Sequence, residues 1–281
     1  MLSLADDELH VWYWHFDAAG PDHGMVTPDK AAWLSSSERV RYERLQLARR
    51  RRAFLAGKLF LREVLSHYSD RPPQSWEFVE NDYGKPALKD GQENLAFNLS
   101  HSRQAYMLAL SRHARTGADI EFSARRRRVG RLAGRYFSAP ECDWLLALSE
   151  AGQQEGFYCL WTLKEAYIKA RGLGLALPLD SFSFDLASAP AIAFAEHEAA
   201  LASSRQWQFW RLAVPWQSEG HPPGQSAEAA DYHAAVAVAA EGRALSISKQ
   251  FLFNPRGEPE LCEKRILAQS PGLLAGLAVD Q

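Results

Sequence analysis

The sequence predicts an α+β protein made of two similar α/β lobes followed by a C-terminal tail. Strand-like alternation and long stretches of helical periodicity occur in both halves of the chain. When the first half of the sequence is aligned with the second by one constant shift, Ser35 aligns with Ser138 and Glu38 with Glu141, although overall identity between the halves is low. Each half therefore reads as a capping box, a short helix and a long helix, which indicates related lobes around a pseudo-twofold axis.

Composition argues against a membrane span and favours the cytoplasm. The 281 residues are 47% hydrophobic, which is enough apolar material for one large domain or two lobes. No stretch approaches ~18 consecutive apolar residues, so no membrane-spanning helix is expected. Asp6, Asp7 and Glu8 stand where a signal peptide needs positive charge, and we therefore expect a cytoplasmic protein.

Charge and cysteine usage narrow the class of protein further. The formal net charge is −2, whereas a dedicated nucleic-acid binder is usually basic. Positive charge is concentrated locally, in the runs Arg49–Arg52 and Arg125–Arg128. The three cysteines, Cys142, Cys159 and Cys262, are odd in number and widely spaced, which argues against a disulfide framework or a zinc site.

The first lobe, residues 1–115, is predicted to contain a strand, three helix starts and a pair of strands around a turn. The first strand is expected at 9–16. Three helices are expected to start at Thr27-Pro28-Asp29, at the capping box of Ser35, and near Arg50. The two later strands are expected around Trp76–Val79 and Tyr106–Leu110. Tyr83-Gly84-Lys85-Pro86 forms the predicted turn between the last two strands.

The second lobe, residues 116–243, is predicted to open with a strand and to centre on one long helix. That helix runs from about Phe157 to Arg171, where Gly172 stops it. Further strands are expected at Ser181–Phe184, Trp207–Leu212 and His233–Ala239, with a loop at 217–230. Residues 244–281 have weak periodicity and are interpreted as an appended tail of unknown role.

Two acidic residues in the first strand of this lobe are candidate metal ligands. Asp119 and Glu121 lie two apart, so on a strand their carboxylates point to the same face and repel unless a cation lies between them. Magnesium typically takes one or two carboxylates and shares its remaining positions with phosphate and water. On spacing alone, a solvated acidic strand face is the better interpretation.

The long helix offers a third carboxylate. Glu165 and Lys169 lie four apart and share a helix face, away from the apolar stripe. Such a pair is usually an ordinary surface ion pair. The functional alternative is a third metal ligand beside a phosphate-binding lysine.

The first lobe holds candidate phosphate donors. Ser100 and His101 invite a serine-hydrolase interpretation, but adjacent side chains diverge in an extended chain and no G-x-S-x-G motif is present. The pair could donate to a phosphate instead, or His101 could make a structural hydrogen bond in a turn. Lys85 projects from a turn fixed by Pro86, as many exposed lysines do. The dense arginines of 39–52 suit phosphate, although most of them form a solvated basic face.

The order of these motifs along the chain is more specific than any one of them. In sequence they are Gly84-Lys85-Pro86, Phe97-Asn98-Leu99-Ser100-His101-Ser102, Gly117-Ala118-Asp119-Ile120-Glu121, Phe137 to Glu141, and Trp161-Thr162-Leu163-Lys164-Glu165-Ala166 with Lys169. This succession resembles the larger, two-lobed, surfactin-synthetase-activating type of 4′-phosphopantetheinyl transferase over roughly residues 9 to 240. The resemblance implies a pseudo-symmetric α+β monomer with coenzyme A bound between its lobes.

The resemblance also implies roles for individual residues. Asp119, Glu121 and Glu165 would hold magnesium, with manganese as the alternative metal. Coenzyme A would be contacted by Lys85, Pro86, Ser100 and His101, its 3′-phosphate by Arg41 and Arg52, and its pyrophosphate by Lys164 and Lys169. The alignment through Arg49–Arg52 is uncertain by one residue.

The implied reaction is a phosphoryl transfer without a covalent enzyme intermediate. A serine hydroxyl of an apo acyl or peptidyl carrier protein attacks the phosphorus that bears the pantetheine arm, and 3′,5′-ADP leaves. Catalytic roles fall to Asp119, Lys169 and Glu165, the last as base, directly or through a metal-bound water. The acidic carrier is expected to dock on Arg125–Arg128. The alternatives are a magnesium-dependent hydrolase of coenzyme A or nucleotides, and a binding module that uses the arginine runs.

Overall fold

The computed structural model describes residues 1–17, 24–113, 115–124, 126–197, 207–216, 232–239, 242–255 and 258–270. Sheets and helices alternate along this part of the chain, which confirms the predicted α+β class. The predicted loop at 217–230 lies outside the described residues, as does the end of the predicted tail. No helix in the described ranges is long and apolar enough to cross a membrane.

Thirteen strands are present in the described residues. They are β1 Glu8–His15, β2 Phe78–Glu80, β3 Pro86–Leu88, β4 Ala96–Ser102, β5 Ala105–Ser111, β6 Thr116–Phe122, β7 Phe182–Asp185, β8 Ala193–Glu196, β9 Trp207–Leu212, β10 Tyr232–Ala239, β11 Ser246–Leu252, β12 Glu260–Leu261 and β13 Ile266–Gln269. The first large sheet has the order β12-β11-β1-β5-β4, and the second has the order β13-β9-β10-β6. The pairs β2-β3 and β7-β8 form separate hairpins.

Five α-helices accompany these sheets in the same described ranges. They are α1 Ser36–Arg44, α2 Ala48–Ser66, α3 Val129–Tyr136, α4 Ala139–Ala147 and α5 Glu150–Arg171. Short 3₁₀ helices occur at Pro28–Trp33, Pro73–Ser75, Lys89–Asn94, Gly174–Ala176 and Leu179–Ser181. The helix predicted at Thr27 is thus a single 3₁₀ segment, and the Thr27 side chain does not cap it.

The two large sheets pack face to face, and one long helix covers the outer face of each. Val11, Ile120 and Val236, from three different strands, meet in the apolar core between the sheets. The core under α2 includes Leu59, and the core under α5 includes Leu163. Since side chains alternate along a strand, the residues of β6 that do not enter the inter-sheet core point toward α5.

Both predicted capping boxes are present. The Ser35 side chain accepts from the Glu38 amide, whereas the Ser138 hydroxyl donates to the Glu141 carboxylate at 2.8 Å. Glu38 and Glu141 each accept from the amide of their own cap residue. These pairs satisfy amides that the first helical turn leaves without partners. At the far end of α5, Gly172 adopts the left-handed conformation at φ 69°, which confirms the predicted helix stop.

The segment after Arg243 differs from the predicted tail. In it, β11 pairs in parallel with β1 of the first sheet, and β13 pairs antiparallel with β9 of the second. Ile247 and Phe251 of β11 are buried in the cores. Local periodicity could not reveal these strands because β1, the partner of β11, is more than 200 residues earlier in the chain. The segment therefore completes both sheets.

The backbone amides at the outer edge of β6 donate hydrogen bonds to side chains of β4 instead of to the backbone of another strand. Every second side chain of β4 accepts a hydrogen bond from a β6 amide: Asn98 from Ala118 at 2.8 Å, Ser100 from Ile120 at 3.3 Å and Ser102 from Phe122 at 3.1 Å. Edge amides without partners would be costly in the interior. This contact holds β4 and β6 side by side and joins the two sheets at the candidate site.

Candidate active site

The close approach of β6 to α5 begins at Gly117. A Cβ atom built on Gly117 would lie 2.0 Å from the carbonyl oxygen of Ala166 and 2.4 Å from the amide nitrogen of Ala170. Only glycine fits at that separation, because real Cβ contacts are never so short. The strand can therefore bring Asp119 and Glu121 against the helix that carries Glu165 and Lys169.

Asp119 is the most buried of the three predicted carboxylates, with 3% of its surface exposed. Its Oδ1 atom accepts from the hydroxyl of Ser100 at 2.9 Å and from the ammonium of Lys169 at 2.5 Å. Its Oδ2 atom is buried and has no hydrogen-bond partner among the described residues. An orphaned buried carboxylate oxygen is an available ligand position for a cation.

Glu121 and Glu165 add negative charge beside Asp119. The Ser102 hydroxyl donates to Glu121 at 2.9 Å. Burial and the neighbouring Asp119 charge raise the pKa of Glu121 and also the pKa of Glu165, while Lys169 opposes both shifts. Carboxylates that raise one another's pKa in this way do not have enough positive charge nearby to balance their own negative charge.

This donor set fits a magnesium ion. All three groups are hard carboxylate oxygens, the ligand type that magnesium prefers, and one buried oxygen has no other partner. In the described structure their ligand atoms do not all lie within 4.8 Å of one another. Here the Lys169 ammonium is the cation in direct contact with Asp119.

A cavity of about 520 Å³ lies on the opposite face of β4, between β4, α2 and the Gly84-Lys85-Pro86 turn. Three of the residues predicted to contact coenzyme A line it: Arg41, Pro86 and His101. Arg50, which belongs to the candidate run Arg49–Arg52, lines it as well, and so does Lys58 of α2, which was not predicted. Three cationic side chains around one cavity are suited to a ligand with several phosphates.

His101 is held rigidly at this cavity. Its ring stacks on Tyr106 with centroids 5.5 Å apart and an interplanar angle of 15°, and the Tyr106 hydroxyl donates to the Ala53 carbonyl of α2. Burial and the nearby Lys169 charge lower the pKa of His101. The imidazole is therefore neutral near pH 7 and can act as a hydrogen-bond donor through one nitrogen.

The structure corrects the expectation for Lys164. This side chain is fully buried, and its ammonium donates to the carbonyls of Leu179 and Phe182 at 2.7 and 2.8 Å. It also pairs with Glu141 at 2.8 Å, so all three of its donors are used. Lys164 anchors the capping box of α4 to α5 and has no donor left for a pyrophosphate.

Lys85 also differs from its predicted role. Its ammonium donates to the carbonyls of Thr116 and Ala170, each at 3.0 Å. Its side chain lines a second cavity, also of about 520 Å³ and shared with Pro86, and not the cavity lined by Arg41 and His101. Burial, together with the charge of Arg115, lowers the pKa of Lys85 to about 8. In this structure Lys85 ties the turn to the end of α5.

Arg52 and Ser100 are likewise placed away from the cavity. The Arg52 guanidinium lies over the Phe16 ring, 5.1 Å from its centroid, whereas Arg50 lines the cavity. The Ser100 hydroxyl is buried between Asp119 and Lys169, which donates to it at 3.0 Å. Ser100 therefore positions Asp119, and Arg50, not Arg52, is the arginine of the Arg49–Arg52 run that lines the cavity.

Two protein-family models match the chain. Residues 115–237 match the family model of the 4′-phosphopantetheinyl transferase superfamily, and residues 28–113 match the model of a 4′-phosphopantetheinyl transferase N-terminal region. The chain is similar to 4′-phosphopantetheinyl transferase HetI of Nostoc sp., with 36% identity over 62% of this chain and 73% of that protein.

Two further relatives match over shorter shares of their length. Sfp of Bacillus subtilis is 37% identical over 47% of this chain and 57% of its own. The human L-aminoadipate-semialdehyde dehydrogenase-phosphopantetheinyl transferase is 29% identical over 58% of each chain. The fold, the site and these matches define a transferase of phosphorus-containing groups. The chain belongs to the 4′-phosphopantetheinyl transferase superfamily, as the order of its motifs predicted.

Proposed function

We propose that this chain transfers the 4′-phosphopantetheine arm of coenzyme A to a serine of an apo carrier protein and releases 3′,5′-ADP. The proposal rests on one arrangement. Asp119, Glu165 and Lys169 converge beside β4, and the cationic cavity lies on the other face of that strand. Ser100 and His101, adjacent on β4, link the two regions. We further propose that the protein is a cytoplasmic monomer.

In the proposed reaction, the serine oxygen forms a bond to phosphorus as the bond to the 3′,5′-ADP oxygen breaks. Glu165 accepts the hydroxyl proton, and burial suits it to this role because its raised pKa makes it a stronger base than an exposed carboxylate. Lys169 binds an oxygen of the transferring phosphate. Asp119, Glu121 and Glu165 would hold magnesium, which when bound supplies charge that neutralises the pyrophosphate.

Arg50 is expected to bind a phosphate of coenzyme A. Replacing it with alanine should raise KM for coenzyme A about tenfold or more, since one charge-assisted hydrogen bond contributes roughly 1.5–3 kcal/mol. The kcat should stay within about twofold, because the phosphate is charged before and after transfer. Initial rates at varied coenzyme A measure both constants.

Arg52→Ala is the matched control, because it removes a neighbouring guanidinium that lies over Phe16. It should change KM by no more than about twofold. A larger increase in KM for Arg52→Ala than for Arg50→Ala would show that Arg52, and not Arg50, contacts the phosphate.

The carrier protein is proposed to dock near α3. Of the predicted run, Arg125 lies outside the described residues. Arg127 is anchored, with its side chain donating to the Tyr158 hydroxyl at 3.1 Å and its backbone bonded to Gln154. Arg126 and Arg128 are exposed and free to meet an acidic partner, since the exposed pair of Arg126 with Glu150 contributes little.

The double variant Arg126→Ala/Arg128→Ala should raise KM for the carrier about fivefold at low ionic strength and flatten its salt dependence. KM for coenzyme A should not change. The control is Lys264→Ala/Arg265→Ala, which removes two exposed charges beside β13, at the far edge of the second sheet. Equal carrier kinetics for the two double variants would place the docking surface elsewhere.

The proposed function is tested by chromatography of the products from coenzyme A and magnesium, with and without apo carrier protein. A transferase releases 3′,5′-ADP only when the carrier is present. Release without carrier, accompanied by free phosphopantetheine, would indicate a hydrolase. No release in either case would leave a binding module as the better interpretation.

A further inference from the structure

A second cluster of metal-binding side chains lies between α5 and β10, outside the proposed transfer site. Glu155 and Cys159 are one turn apart on α5, and His233 faces them from β10. The Cys159 sulfur lies 3.6 Å from Glu155 Oε1 and 3.7 Å from His233 Nδ1. One ligand atom from each residue can be chosen so that all three lie within 4.8 Å of one another.

These separations match the ligand spacing of a tetrahedral zinc site. With Zn–S about 2.3 Å and Zn–N or Zn–O about 2.1 Å, tetrahedral ligand atoms lie about 3.5 Å apart. Both sulfur distances in the cluster are close to that spacing. A thiol hydrogen bond to Glu155 would account for one of these contacts without explaining why an imidazole faces the same sulfur.

His233 lies beside the Glu155 carboxylate as well as the Cys159 sulfur. Its buried Nε2 atom is 3.2 Å from Glu155 Oε2, so the ring already contacts both of the other members of the cluster. The ring itself is fixed, because it stacks on Tyr158 with an interplanar angle of 13°. Arg211 lies 3.6 Å from the other oxygen of Glu155 and restrains that carboxylate. Such supporting contacts are typical of metal ligands.

The ligand types favour zinc over magnesium. A thiolate and an imidazole are soft and borderline ligands, whereas the Asp119 group contains only hard oxygens. Cys159 and His233 are buried, but 51% of the Glu155 side chain is exposed, so an ion can enter from solvent and retain a water ligand. We propose that Glu155, Cys159 and His233 bind a zinc ion at a second metal site.

Zinc binding by the full chain tests this inference without any substrate. The metal-stripped protein, held in excess magnesium to saturate the carboxylate site, should retain one equivalent of zinc after dialysis against micromolar free zinc. Cobalt in place of zinc should give a thiolate-to-metal charge-transfer band. Absence of both zinc retention and the cobalt band in the wild-type protein would overturn the proposal, whatever the transferase activity.

Variants identify the ligands. Cys159→Ser and His233→Phe, which keeps a ring against Tyr158, should each weaken zinc binding by more than about 100-fold. Cys142→Ser and Cys262→Ser should retain the equivalent, and so should Asp119→Ala, because its oxygens belong to the other site. Unchanged affinity in Cys159→Ser would contradict the assignment. If that variant does not fold, the cobalt band of the wild-type protein decides the question.

Discussion

Replacing Glu165 with glutamine should lower kcat by about 10³-fold or more, equivalent to about 4 kcal/mol of transition-state stabilisation. Glutamine has nearly the same shape but can neither accept the serine proton nor offer a charged ligand. Stability should not fall, because the change removes a buried charge that Asp119 repels. The kcat at saturating magnesium and coenzyme A, with the thermal unfolding midpoint, measures both effects.

Two controls accompany this prediction. Asp143→Asn removes an exposed carboxylate on α4 and should leave kcat unchanged. Glu121→Gln should cost about tenfold, since water can replace one ligand and the Ser102 contact can persist. A kcat for Glu165→Gln close to that of Asp143→Asn would contradict the role of Glu165.

Replacing Gly117 with alanine should damage both the fold and the site. The added methyl group would meet backbone atoms of α5, which cannot rotate aside as a side chain can. We expect a loss of about 3 kcal/mol or more in the free energy of unfolding. Because α5 carries Glu165 and Lys169, its displacement should also lower kcat by about 10²-fold, as misplacements near 1 Å do.

Gly134→Ala is the matched control for this change. Gly134 lies inside α3, and a Cβ atom there would meet nothing within 4 Å. That substitution should stabilise the protein by about 0.5–1 kcal/mol, because alanine favours the helix. Denaturant unfolding of both variants tests the contrast. Equal stability of Gly117→Ala and Gly134→Ala would show that the close approach of β6 to α5 does not matter.

Features determined by local sequence were predicted well. The capping boxes at Ser35 and Ser138 depend on residues three apart, and the stop at Gly172 depends on one residue that accepts a positive φ. The common face of Asp119 and Glu121 follows from strand geometry alone. Each of these features arises within a few residues, so the sequence carries the necessary information.

Features that depend on distant partners were not predicted. The parallel pairing of β11 with β1 joins opposite ends of the described chain. The role of Lys164 is decided by Glu141 and two carbonyls that only the fold brings near. A motif lysine next to a candidate catalytic residue can therefore be structural.

The alternating polar residues of β4 indicate that one face of this strand hydrogen-bonds to a neighbouring strand edge. Asn98, Ser100 and Ser102 recur with period two, which places them on one face of a strand. Small hydrogen-bonding side chains in that pattern are suited to pairing with a strand edge, as they do along β6. The same reasoning could not have grouped Glu155 and Cys159 with His233, since β10 is distant in sequence.

The most direct test of the central claim is the intact mass of an apo carrier protein after incubation with coenzyme A, magnesium and this chain. The account predicts a gain of one phosphopantetheine group on the carrier serine. That gain should be lost with a serine-to-alanine carrier and with Glu165→Gln. An unchanged carrier mass with active coenzyme A cleavage, or equal modification by wild type and Glu165→Gln, would contradict it.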